Sequence, residues 1–343
     1  MASYVRAHLA MGCAGVLAMP NTKPPVSRVT GEATEEAWSI ECYSQMLQAA
    51  GADEFEFVTI PLYLTSATTP QMIEEGAAGG QLKACKYYPP HGTTNSEHGV
   101  PMNSLIGSDI LRAMEAAGTI LCLHGEQHAL VGSDYFDARK HAEASFYTET
   151  MPRLAEAHPN LKMVCEHVTS KEAVRFVQDA GERVGATITP QHLLYTVGHL
   201  IQGLRYHLYC LPIVKFEEDR EALRNAATRP GQTQFFAGTD SAPHTTKATP
   251  CGCAAGCFTG GCAPQLYAMA FEESGLDLMS AEAKETFKRF LCYNGPDFYQ
   301  ISPTDETFTL VREDSVTEAL PTPEGDIVPL PLGMDLTLTW SLG

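Results

Sequence analysis

The chain has 343 residues, 44% of them apolar, with 23 basic and 41 acidic side chains and a formal net charge of −18. This length suits two ordinary domains or one α/β barrel, and no apolar run approaches the roughly 18–20 residues that span a bilayer. So acidic a chain repels nucleic acid and anionic membrane, so neither is an expected partner, and an anionic small-molecule substrate needs donors or a metal supplied by its own site. No charged segment precedes an apolar one at the N-terminus, so no secretory signal is read.

Residues 2–11 read as a helix, and "GVLAMPN" (15–21) reads as a buried strand ending at Asn21. A helix over 34–50 leads to "EFVTIPLYLT" (56–65), and "LKACKYYP" (82–89) follows as the next strand. A polar, glycine-containing loop, "PPHGTTNSEHGV" (89–100), separates it from a helix over 108–117 and the strand "TILCLHGE" (119–126). Helix 137–157, strand "KMVCEHVT" (162–169), helix 170–180 and strand "GATITPQH" (185–192) continue the alternation. Helix 218–227, strand "FFAGTDSAPH" (235–244) and helix 280–292 complete it; the tail "LPLGMDLTLTWSLG" reads as a closing strand or an appendage. Short, nearly continuous apolar strands are what a parallel sheet buried on both faces requires.

Alternating strands and helices indicate a parallel α/β fold. Ligand-type polar residues cluster at strand ends: Asn21, Thr65, Lys86, His124, Glu126, His167, His192 and Asp240. In a TIM (β/α)8-type barrel those ends converge on one mouth, which favours the barrel over an open sheet. The strand count is seven, one short of eight, and the absent first strand belongs before helix 2–11.

Two histidines on consecutive strand ends, His124 and His167, followed by the strand-end Asp240, make a nitrogen and carboxylate set of the kind that holds catalytic zinc. Lys86 ends an apolar strand, where an unpaired ammonium is costly; it is read either as a snorkelling surface lysine or as a lysine carboxylated by carbon dioxide that bridges two metals. Asn21 sits in the proline-stiffened "AMPNTKPP", either a plain turn or a group that binds a carbonyl or carboxylate, and Thr93 and Thr94 lie in what is either a mobile lid that touches substrate or merely a surface loop. Most of the 11 cysteines, such as Cys85, Cys122 and Cys165, fall in strands and fit free thiols in a reducing cytoplasm. Cys251, Cys253, Cys257 and Cys262 are spaced loosely like a zinc knot, but they lack a partner C-x2-C and read as an active-site loop.

The stretches "MPNTKPPV", "KYYPPHGTTNSEHGV", "LHGE", "EHVTSKEA", "ATITPQHL", "HLYCLPI", "GTDSAPH", "CGCAAGCF" and "NGPDFY" together resemble the dihydroorotase family, in its shorter bacterial and plant-type class. The resemblance implies a single amidohydrolase-type barrel domain over 1–343, with a C-terminal extension from about residue 300. It implies zinc-dependent, reversible cyclisation of N-carbamoyl-L-aspartate to dihydroorotate in pyrimidine synthesis. Carried over residue by residue, it makes Lys86 the carboxylated bridging ligand, His124 and His167 ligands of the second zinc, and Asp240 a ligand of the first zinc and the proton shuttle. Asn21 and His244 fall where the substrate carboxylate binds, Leu211 and Ala254 (or its neighbour Ala255) offer backbone contacts, and Thr93 and Thr94 match the lid. Family members are often dimers, so a homodimer is implied, although no interface is legible.

One departure stands out. The family's H-x-H-x-R motif, which supplies two ligands of the first zinc and an arginine for the substrate carboxylate, has no counterpart here; His8 lies in the helix after the absent strand. The expectation is a chain that starts at an internal methionine of a longer frame, with its own activity impaired. The alternatives are a shortened, non-catalytic homologue acting as a structural partner, or another cyclic amidase of the dihydropyrimidinase or hydantoinase kind.

Overall fold

A computed structural model of the chain describes residues 1–250 and 252–343. The chain divides into two compact units. One comprises Gly15–Glu166 and Arg175–Val184; the other comprises Met1–Ala14, His167–Val174 and Gly185–Gly343.

In the first of these, strand Gly15–Leu17 pairs in parallel with Phe57–Thr59. Leu62–Tyr63, Ala84–Tyr87, Ile120–His124 and Met163–Glu166 then lie side by side in chain order, all parallel. Every residue of Ala84–Tyr87, Ile120–His124 and Met163–Glu166 is buried, as a sheet covered on both faces demands. Several of the helices start where a side chain caps them. Ser108 Oγ accepts from Leu111 N at 3.3 Å to open Asp109–Ala117, and Gly118 closes it in the left-handed region. Thr69 opens Pro70–Ala78 in the same way, with proline in the first turn. The expected helix over 34–50 begins only at Ile40, because Ser39 caps it.

The single helix read over 137–157 is three pieces: Ala142–Ser145, a π-helical turn Phe146–Thr150, and Met151–Ala157. Pro152 has no N–H to donate to the Thr148 carbonyl, so the α register cannot pass through it, and Met151 N bonds instead to Phe146 O.

In the second unit, Phe235–Ala237 pairs in parallel with the strand ending at Ile188, Phe236 opposite Thr187. The strand read over 185–192 stops at Ile188 because Thr189 caps a short helix, Pro190–Leu194, accepting from His192 N at 3.2 Å. Helix Ala263–Glu273 lay unseen in the sequence, within and beyond the stretch taken as loop, and its residues 263–271 are all buried. The tail forms a short antiparallel pair, Leu310–Val311 with Ser341–Leu342. It is fastened to the buried helix by Trp340 Nε1, which donates to Glu272 Oε2 at 3.0 Å, and by the Arg312–Glu272 ion pair. Among the described residues no helix is long and apolar enough to cross a membrane.

Helix Ala2–Ala10 belongs to this unit and is docked by aromatic contacts. Tyr4 Oη donates to Ser241 O at 2.8 Å, and the His8 ring stacks on Tyr4 with centroids 4.1 Å apart. His8 Nδ1 donates to Tyr4 O at 2.9 Å, and burial pushes the His8 pKa below its ordinary value. The folded protein therefore keeps His8 neutral at a pH where the unfolded chain protonates it, so acidification favours unfolding. The expected outcome is that denaturant-unfolding stability falls as pH drops from about 7.5 to about 5.5, across the ordinary histidine pKa, and that His8→Phe loses less over the same interval. Equal pH slopes for the two proteins would refute a role for His8.

Candidate active site

The candidate residues divide between the two units, and each half is built on strand ends. In the first unit Lys86 lies opposite Cys122 on the neighbouring strand. His124 stands two residues beyond Cys122, so strand alternation puts Lys86 and His124 on the same face. Lys86 is 1% exposed, and among the described residues its ammonium has no hydrogen bond or ion pair, only the face of the Tyr88 ring at 5.2 Å. A lone aromatic face is weak compensation for a buried charge. His124 is equally buried, and its Nε2 lies 2.9 Å from Glu126 Oε2. That bond puts the proton on Nε2 and makes Nδ1 the basic nitrogen, the arrangement of a carboxylate-oriented metal ligand. Gly125 between them is needed for space: a Cβ there would lie 2.4 Å from Tyr147 Oη.

Asn21 and the loop after Lys86 are brought together. Tyr88 Oη donates to Asn21 Oδ1 at 2.8 Å, Asn21 Nδ2 donates to Thr94 O at 2.9 Å, and Asn95 Nδ2 donates to Asn21 O at 2.9 Å. Thr93 N is held by the buried Ser96 Oγ at 2.9 Å. His91 and Asn95 adopt left-handed backbone, which lets six residues close this knot. Tyr88 gave no signal in the sequence beyond ending an apolar run.

In the second unit His167 N donates to Thr187 Oγ1 at 2.7 Å, and Val168 N donates to Thr187 O at 3.0 Å. His167 and Asp240 both carry positive φ, 41° and 44°. Non-glycine residues held there cost of order 1–3 kcal/mol and concentrate at functional positions. Gly238, two residues before Asp240, must lack a side chain, since a Cβ would meet Thr187 Cβ at 2.5 Å.

His192, a ligand-type residue in the sequence, does structural work instead. Its Nδ1 accepts from Thr189 Oγ1 at 2.7 Å, and its Nε2 donates to Pro212 O at 3.0 Å, steadying the segment that carries Leu211. His244 Nε2 donates to Ala255 O at 2.8 Å, and burial lowers the His244 pKa. Both backbone groups of Ala254 are occupied: its N–H donates to Lys247 O at 2.8 Å, and its C=O accepts from Lys247 Nζ at 2.5 Å. Gly256 N donates to Tyr209 O at 2.9 Å, and a Cβ on Gly256 would lie 2.9 Å from His244 Nε2. The thiols of Cys253, Cys257 and Cys262 donate to separate carbonyls of Tyr206, His207 and Thr259; Cys251 lies outside the described residues.

No family model matches the chain. Curated relatives do. The Dihydroorotase of a Picosynechococcus species is 40% identical over 331 residues, 94% of this chain and 88% of its own length. That of Stutzerimonas stutzeri is 41% identical over 327 residues, 93% and 87% of the two chains. The chain belongs to the dihydroorotase family. It is an enzyme of the cyclic amide hydrolase class, on the TIM barrel of the amidohydrolases. The crystal structure of dihydroorotase from Saccharomyces cerevisiae in complex with 5-fluoroorotic acid matches with a TM-score of 0.83 at 28% identity, covering 100% of this chain and 92% of that one. The dihydroorotase of Campylobacter jejuni matches at 0.80 and 28% identity, covering 99% and 91%. An L-hydantoinase from Arthrobacter aurescens, at 0.70 and 14% identity, shares the fold.

The "LHGE" geometry carries a testable consequence. Gly125→Ala forces a methyl into the Tyr147 hydroxyl, and overpacking of this kind costs about 1–3 kcal/mol. Chemical denaturation should show that loss, and Gly125→Ala combined with Tyr147→Leu should recover part of it. No loss in the single variant would mean that Tyr147 yields without cost.

Proposed function

We propose that this protein is a zinc-dependent, single-barrel-domain enzyme for the reversible conversion of N-carbamoyl-L-aspartate to (S)-dihydroorotate, the cyclisation step of pyrimidine synthesis in a reducing cytoplasm, and that residues 1–343 by themselves turn over slowly because H-x-H-x-R has no counterpart among them. The observation that carries the reading is Lys86, a buried ammonium with only an aromatic face for company. Conversion to a carbamate turns a poorly compensated cation into a metal-binding anion, so the chemistry of the donor set fits zinc. The His124–Glu126 pair and the left-handed backbone at His167 and Asp240 support the same assignment. Carboxylated Lys86, His124 through Nδ1, His167 and Asp240 are the residues that would hold the metal, two ions in the full family plan. The ten described cysteines are all free thiols, which suits a reducing compartment.

When bound, zinc supplies a Lewis acid and lowers the pKa of water toward neutrality. Asp240 accepts the proton of the water that attacks the ring amide carbonyl. It then gives that proton to the ring nitrogen as the C–N bond breaks, acting as base and then acid. In the synthetic direction it takes a proton from the ureido nitrogen as the ring closes and water leaves. Asn21 and His244 orient the substrate carboxylate against the protein's net negative field, His244 through a protonated Nδ1, since its Nε2–H is given to Ala255 O. Ala254 or its neighbour Ala255 contributes a backbone contact, in a loop where Lys247 engages both the N–H and the C=O of Ala254. Thr93 and Thr94 close over the substrate from the loop that Asn21 anchors, and Leu211 presents its backbone to the ring.

Two variants test these roles. With dihydroorotate as substrate and zinc supplied, the protein should form N-carbamoyl-aspartate slowly, and Asp240→Ala should lower that residual kcat by about 10²–10⁴ without loss of fold. Near-normal turnover in that variant refutes the proton shuttle. Absence of turnover in the unaltered protein overturns the catalytic reading in favour of a non-catalytic homologue. Glu126→Gln should weaken zinc retention by about 10–100-fold, read by dialysis against a chelator; unchanged retention would exclude Glu126 as the orienting partner of a ligand.

A further inference from the structure

We propose that Lys247 is a positioning residue for substrate binding, whose buried ammonium straps together the backbone segments 209–211 and 254–256. The proposal rests on the reading that places Leu211 and Ala254 or Ala255 against the substrate. Lys247 follows His244 by three residues and is 7% exposed. Its Nζ donates to Tyr209 O at 2.7 Å, to Ala254 O at 2.5 Å and to Gly256 O at 2.5 Å. These three bonds use every donor an ammonium has. The Tyr209 ring lies 5.9 Å from the same nitrogen.

Among the described residues no carboxylate pairs with Lys247, so carbonyl dipoles and one aromatic ring are what compensate a charge withdrawn from water. A buried cation held only in this way is costly. That geometry is specific. Two of the three carbonyls belong to one loop and the third to a segment about 45 residues earlier in the chain, so one side chain fixes two stretches remote in sequence. Turning the Ala254 carbonyl toward Lys247 also sends the N–H of the same trans peptide, that of Ala255, to the opposite side. The Gly256 N bond to Tyr209 O and the His244 bond to Ala255 O complete the lattice, so Lys247 sets the frame in which His244 and the Ala255 peptide sit.

The test compares unaltered protein with Lys247→Met, using 5-fluoroorotate as the probe for calorimetric binding and amide hydrogen exchange for the backbone. The expected result is binding weakened about tenfold or more, the effect of losing hydrogen bonds from a charged donor. Exchange should rise together in peptides covering 206–211 and 252–257 and stay unchanged over 120–126. Bound zinc per chain should not change. In turnover, KM for dihydroorotate should rise while kcat per zinc stays within about threefold, a split that general loss of structure would not produce. Binding within twofold of the unaltered protein, or exchange that rises in one segment alone, overturns the proposal. Failure of the unaltered protein to bind 5-fluoroorotate overturns the site reading instead, and joint exchange in the two segments then still decides the strap. Should Lys247→Met not fold, Lys247→Gln, with two donors on a side chain one bond shorter, is read against the same outcomes.

Discussion

A parallel strand buried on both faces has no solvent-facing side on which to put a polar residue, so its polar side chains must be satisfied where they stand or collect at its end. Ala84–Tyr87 and Ile120–His124 are strands of this kind, and they carry Lys86 and His124 among residues with no access to water. Neither would be retained there by packing. A buried imidazole needs a partner for each polar nitrogen, which Glu126 begins to supply, and a buried ammonium needs a counter-charge, which Tyr88 does not. The strongest statement about chemistry in this molecule therefore comes from its least soluble elements.

The loops around those strand ends solve a related problem, since short irregular segments must satisfy their own backbone groups. They do so with a few side chains that each bind several carbonyls or amides. Asn21 joins the first strand's end to the loop at Thr94 and Asn95, His192 spans from Thr189 to Pro212, and Lys247 gathers three carbonyls. A loop cross-linked in this way presents backbone donors at fixed positions, which is what recognition of an anionic substrate by a strongly acidic protein requires.

Much of this was legible in the sequence, for physical reasons that also explain what was not. Apolar runs located each main strand, and polar residues within or just past those runs singled out Lys86, His124, His167 and Asp240 as candidates. Strand ends were overextended wherever a cap intervened, as at Thr189-Pro190, because an apolar run does not show which backbone carbonyl stops bonding to the sheet. Helix Ala263–Glu273 was missed because it is buried on nearly every side, so it has no polar face and no 3.6-residue rhythm to detect. The break at Pro152 was foreseeable from the proline alone. Tyr88, His192 and Lys247 were not: their roles rest on partners such as Asn21, Pro212 and Tyr209, up to 67 residues away in the chain, whose proximity only the fold creates.

Strain is where these constraints meet. His167 stands directly beyond the strand Met163–Glu166 and Asp240 three residues beyond Phe235–Ala237, and both turn into the left-handed region, where a side chain is crowded by its own carbonyl. Glycine would relieve that crowding at each position. The surroundings hold the strained form: Thr187 bonds through Oγ1 to His167 N and through its carbonyl to Val168 N, while Gly238 packs against Thr187 from the other strand. One threonine thus supports the turn at His167 and excludes a side chain two residues before Asp240. Conformational strain of order 1–3 kcal/mol at each of two residues that could both bind a metal is difficult to attribute to folding, which would be easier without it. It is intelligible if the reversal of the backbone is what aims an imidazole and a carboxylate at the metal, and if Thr187 is the element that keeps both aimed before any ligand arrives.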